Sequence, residues 1–171
     1  MPNPRPLDFD AIAEARRQWE ARDWHAPAAM SAATSIMRVH QLVLAAVDEA
    51  LRPLDLTFAR YEALVLLAFS RQGSLPLGKM GDRLMLHPTS VTNIVDRLEN
   101  QGLVERIAHP TDRRTTLAAI TPEGRRVVGK ATDAVSLTGF GLGGLTSAEL
   151  DQLTALIRKT RIAAGDFPAT T

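Results

Sequence analysis

Apolar residues recur at three- and four-residue spacings along most of this chain, the signature of helices with one buried side. Ile12, Ala15 and Trp19 predict a helix over residues 8–23, broken by Trp24-His25-Ala26-Pro27. Residues 28–51 carry two stripes, with Ile36, Val39, Val43, Ala46 and Ala50 on one side and Met37, Leu44, Val47 and Leu51 on another. A helix apolar on two faces is buried on both, in a large core or between subunits. Pro53 ends it, because proline lacks the amide the helix needs. Thr57 then caps a helix to residue 70, with Tyr61, Leu64, Val65 and Ala68 on one face. Residues 71–74 read as a turn and 77–85 as a short helix. His87-Pro88 restarts the chain as a helix running to Gln101, where Gly102 supplies the left-handed residue that ends it.

After residue 102 the period changes. Residues 103–107 and 115–120 read as two strands joined by a polar, basic turn from His109 to Arg114. Thr121-Pro122 gives an N-cap with proline at the first helical position, opening a helix to residue 137. The glycine-rich segment 139–144 neither follows a strand nor has the spacing of a phosphate-binding loop, so it reads as a helix–helix connection. Thr146 and Glu149 form a capping box. It starts a last helix with Leu150, Leu153, Ile157 and Ile162 on one side.

Composition narrows the function classes. The chain is 45% apolar and 23% charged, as an ordinary globular protein is. With no cysteine it has no disulfide, thiolate metal site or thiol redox chemistry. His25, His40, His87 and His109 stand at no metal-ligand spacing, so no metal and no cofactor is expected. No nucleophile–base arrangement, carboxylate pair or nucleotide motif stands out, which gives no ground for an enzyme. The first ten residues lack a signal-peptide core, and the longest unbroken apolar run, residues 63–69, is too short for a bilayer. The expected location is therefore cytoplasmic, with no membrane partner. The net charge of +1 hides an asymmetry, because residues 76–130 carry nine Lys/Arg against six Asp/Glu. That excess suits a polyanion partner without proving one.

The helix from Pro88 turns Val91, Ile94, Val95 and Leu98 inward and leaves Thr89, Ser90, Thr92, Asn93, Asp96, Arg97 and Asn100 outside. A plain solvated face would favour Lys and Glu. Small hydroxyl and amide side chains suit close approach to base edges instead. A hairpin with two adjacent arginines near its tip is a poor core element and a good probe for a phosphate-lined groove. Two short helices joined by a tight turn, then a basic hairpin, make a winged helix-turn-helix.

Residues 75–124 resemble the winged helix of the MarR family of bacterial transcription regulators. Asp112-Arg113-Arg114, followed at the family's spacings by Leu117, Ile120, Thr121 and Gly124, matches its wing signature. The resemblance covers about residues 28–165 and implies a mainly α fold with a small α/β wing. By that plan residues 1–27 are an extension with an extra helix. Residues 28–52 and 122–165 are dimerisation helices, 53–121 the DNA-binding domain and 166–171 a tail. The partners implied are double-stranded DNA, a second copy of the chain, and a small aromatic or phenolic effector. As a homodimer such a protein reads a pseudo-palindromic operator, as a repressor. The alternative is a winged helix used as a protein-interaction module without a specific operator.

Carried over position by position, Arg114 becomes the arginine that the wing inserts into the minor groove. Asp112 holds that loop through an ion pair, and Thr89, Ser90 and Asn93 read bases in the major groove, beside Thr92. Many relatives have arginine at the place of Asn93, so here adenine recognition is expected. Lys79, Arg97 and Arg113 are candidate phosphate contacts. The extra helix with Trp19 resembles the urate-responsive subgroup, which pairs that tryptophan with an aspartate and two arginines. The corresponding positions here are Glu62, Ile94 and Arg106. Trp19, Glu62 and Arg106 are thus the candidate ligand residues, and Ile94 makes the implied cavity less polar than one for urate. A structural reading competes with this, in which Trp19 only anchors the extra helix.

Overall fold

A computed structural model of the chain describes residues 7–112 and 114–169. The sequence-predicted helices all form. They are α1 (Ala11–Glu20), α2 (Pro27–Leu51), α3 (Phe58–Phe69), α4 (Leu77–Leu84), α5 (Pro88–Asn100), α6 (Pro122–Leu137) and α7 (Ser147–Ala163). All but α2 and α4 start at a capping side chain. Asp10 accepts from the Ile12 and Ala13 amides, Thr121 from Gly124, and Thr146 with Glu149 closes a reciprocal capping box. Single 3₁₀ turns that the pattern did not predict follow α2 (Arg52–Leu54) and α6 (Gly139–Gly141).

The wing is a three-stranded antiparallel sheet, β1 (Ser74–Pro76), β2 (Val104–Ala108) and β3 (Thr116–Ile120), in the order β1-β3-β2. The sequence predicted two strands and read residues 71–74 as a turn. A three-residue strand ending in proline has no alternation to detect, and proline is tolerated because β1 is an edge. β2 and β3 pair from Val104↔Ile120 to Ala108↔Thr116. Gly102, with φ +71, ends α5 in the left-handed region and lets the chain turn into β2.

One hydrophobic core joins α2 through α6 and the sheet. Leu64 and Leu67 of α3, Met80 of α4, Val95 and Leu98 of α5, Ala118 of β3 and Ala131 and Val135 of α6 are all fully enclosed. Gly124 sits where α6 passes closest to the base of the wing, and a Cβ there would lie 2.1 Å from the Leu103 carbonyl oxygen. Val47 and Leu51 at the end of α2 are buried in the same core, whereas Ile36, Met37, Val39 and Leu42 of α2 are exposed. By length and mean hydropathy alone, residues 27–54 reach what a membrane span needs. No unbroken apolar run marks this stretch, because the polar residues of α2 are interleaved with its apolar stripes.

The chain divides into two compact units, one running to Gly141 and a second from Leu142 onward. The second consists of α7 and its flanks, with Leu156 and Ile157 exposed. Phe167 lies against both Arg158 and Arg161, with each guanidinium carbon about 5 Å from the ring centroid.

Candidate nucleic-acid interface

The helix-turn-helix is built by two local devices. α4 ends in Met85, left-handed at φ +52, and the Leu86 amide closes back on the Gly81 carbonyl at 3.0 Å. α5 then opens with His87, whose Nδ1 accepts from the Thr89 amide at 3.3 Å, and with Pro88 in the first turn. The inward set Val91, Val95 and Leu98 is buried, so the outward set is fixed by helical geometry. Thr89, Ser90, Thr92, Asn93 and Arg97 are all exposed. Thr92 differs from the rest, since its hydroxyl donates to the Pro88 carbonyl at 3.1 Å and is left to outside groups as an acceptor.

The tip of the wing is ordered by two side chains. His109 Nδ1 accepts from the amides of Thr111 at 3.3 Å and Asp112 at 3.1 Å. The Asp112 carboxylate accepts from the Arg114 amide at 3.0 Å and from the Thr115 hydroxyl at 2.6 Å. The sequence predicted that Asp112 holds the loop through an ion pair. Among the described residues it does so through hydrogen bonds, because the turn brings the Arg114 amide and the Thr115 hydroxyl to its carboxylate oxygens. The Thr115 hydroxyl first, then the Arg114 amide and the charge of His109, hold its carboxyl below the usual carboxylate range. Arg114 is exposed, while Arg113 lies outside the described residues.

Arg114, His109 and Lys79 meet at one cleft of about 630 Å³, which Asp82, Thr115 and Thr116 also line. The structure therefore brings a phosphate candidate on α4 next to the wing arginine, although 34 residues separate them in sequence. A second cleft of about 550 Å³ is lined by Asp55, Arg60, Arg97, Asn100 and Gln101. Arg60 was not predicted as a site residue. It stands in the first turn of α3, and nothing local in the sequence places that turn beside the end of α5.

The three ligand candidates have separate surroundings. The Trp19 indole N–H donates to the His25 carbonyl at 2.9 Å, and its ring packs edge-on against Trp24 with centroids 4.9 Å apart. That supports the anchoring role, since Trp19 fastens the α1–α2 corner. Glu62 lies on the outer face of α3, where partial loss of hydration pushes its carboxyl above the usual value. Arg106, on β2, donates to Asp96 Oδ1 at 2.6 Å and to Glu99. Burial disfavours its charge, but the two carboxylates outweigh this and hold the guanidinium more firmly protonated than usual. Neither cleft above, nor the one of about 400 Å³ on α7 lined by Thr154, Ile157, Arg158, Arg161 and Phe167, includes Trp19, Glu62 or Arg106.

Comparison with known proteins gives this geometry its setting. Residues 56–116 match the profile of the MarR family. The crystal structure of Sco5413, a MarR family transcriptional regulator from Streptomyces coelicolor, is 52% identical. It aligns over 82% of this chain and 98% of its own, with a TM-score of 0.77. A mutant MarR from E. coli, complexed with operator DNA, is 26% identical over 75% of this chain and 91% of its own, at a TM-score of 0.68. CouR from Rhodococcus jostii RHA1, bound to p-coumaroyl-CoA, is 32% identical over 80% of this chain and 92% of its own, at 0.65.

Proposed function

Because the chain belongs to the MarR family, as a winged-helix DNA-binding transcriptional regulator and not an enzyme, we propose that it is a homodimeric repressor of a pseudo-palindromic operator. The observation that carries this is a pair of surfaces, a small polar face on the helix after the turn and a basic cleft that the wing borders. α5 exposes Thr89, Ser90 and Asn93, while Arg114 on the wing and Lys79 on α4 border a single open cleft. Small polar side chains read base edges, and the cations neutralise phosphate or enter a narrow minor groove. Arg97, with Arg60 beside it, adds phosphate contacts at the other end of α5.

Dimerisation explains the exposed apolar residues. Ile36, Met37, Val39 and Leu42 on α2, and separately Leu156 and Ile157 on α7, are costly to leave in water. A second copy covers them, and a two-fold dimer presents two reading helices to half-sites about one helical turn apart.

A small aromatic molecule relieves the repression, a reading supported by the aromatic acyl ligand of CouR. An anionic aromatic that reached Arg106 would compete with Asp96 and Glu99 for it. Trp19 fluorescence in a chain with Trp24 replaced tests this, and an unchanged signal with every aromatic acid tried would leave Trp19 as an anchor only.

Salt dependence of duplex binding tests the main reading. Each phosphate neutralised should contribute about −0.9 to the slope of log affinity against log salt. A slope near zero would favour the interaction module.

A further inference from the structure

A protein that reads both grooves must present its helix and its wing at a fixed angle, yet the two are separate stretches of chain. Arg106 spans them. It belongs to β2, one strand of the hairpin that carries Arg114, and its side chain is only one-quarter exposed. Its guanidinium donates to Asp96 Oδ1 at 2.6 Å and to Glu99 Oε2, while its backbone amide donates to Glu99 Oε1 at 3.1 Å. β2 is an edge strand, so that amide has no partner strand on its outer side. Both carboxylates come from α5, one helical turn apart.

Charge alone argues against this placement. Two carboxylates on a helix that approaches phosphates repel them, and a surface built only to attract DNA would lack them. Their geometry supplies the reason for their presence. We propose that Asp96, Glu99 and Arg106 form a clamp that locks the wing to the recognition helix, so that Asn93 and Arg114 engage their grooves as one unit. Arg106 acts here as a positioning residue. The proposal rests on the DNA-binding reading for its purpose, but the clamp itself can be tested without DNA.

The test variant is Asp96→Asn with Glu99→Gln, which keeps the shapes and removes the charges. Repulsion and clamping predict opposite signs. If the carboxylates only repel phosphate, the variant binds operator more tightly than wild type. If they clamp, it binds about tenfold more weakly, the usual scale for a coupled pair. Arg114→Ala should then cost less in the variant than in wild type, since a loose wing no longer delivers its arginine. A role in stability alone would leave that cost the same in both backgrounds. Amide exchange without DNA supplies the independent arm, with faster exchange expected at Arg106 and along the hairpin. Tighter binding, an unchanged Arg114→Ala cost, or unaltered exchange would each overturn the clamp. Should wild type bind no duplex, the DNA reading fails and the exchange result alone decides the clamp. If the double variant does not fold, Asp96→Asn alone, which leaves both Glu99 bonds, takes its place with the same signs and a smaller change.

Discussion

At the scale of single residues, the role of the wing tip comes down to two side chains with different tasks. Arg114 is exposed and contributes nothing visible to the core, so Arg114→Ala should leave stability nearly unchanged and weaken operator binding by roughly 1–3 kcal/mol. The loss should be smaller on non-specific duplex, because part of the gain depends on groove width. Equal losses on both, read by titration at one salt concentration, would make Arg114 a plain phosphate contact. Asp112 acts on the loop instead. Its folded pKa is depressed, so its contribution to wing order is fully present above its unfolded value, about 3.9, and is lost as pH falls through the lower folded value. Amide signals of Thr111, Asp112, Arg114 and Thr115 should therefore stay sharp and dispersed down to about pH 4 and collapse below it, whereas an Asp112→Asn wing should show no such transition.

At the scale of elements, most of the fold was legible because capping chemistry is local. Thr57, His87, Thr121 and Thr146 each start the helix that the sequence assigns to them, and Gly102 ends α5 as expected. What was not legible depends on neighbours remote in sequence. β1 exists because β3 pairs with it, not because three residues favour a strand. Arg106 was assigned to a ligand on the strength of a resemblance, and the structure gives it carboxylate partners seven and ten residues upstream. Arg60 carries no signal until the fold sets it beside Arg97. Gly124 shows the same dependence, since only the close pass of α6 over Leu103 makes a Cβ intolerable. Gly124→Ala should lower stability by roughly 1–3 kcal/mol, the scale of an overpacked contact, and loosen the wing base. Thermal unfolding checks this, and an unchanged midpoint would mean that the α6 entry can shift without cost.

At the scale of the whole molecule, the exposed apolar positions of α2 and of α7 explain why the sequence shows more apolar helix than one small core can cover. In an obligate dimer stability and association are one quantity, so the unfolding midpoint should rise with protein concentration. Replacing Leu153 and Ile157 with Asp should give unfolded or aggregated protein. A well-folded monomer from that variant, seen by sedimentation with unchanged DNA affinity, would contradict the obligate dimer. The proposed dimer also sets what the DNA must look like, because a two-fold protein can engage two reading helices only on a site with matching symmetry.

Selection of duplexes from a random pool by the full-length protein therefore tests the central claim most directly. The account predicts a pseudo-palindromic consensus with half-site centres about 10–10.5 base pairs apart and an adenine in each half-site. The adenine preference should be lost with Asn93→Ala. Recovery of no consensus, or of a single asymmetric site that Asn93→Ala leaves unaltered, would contradict it.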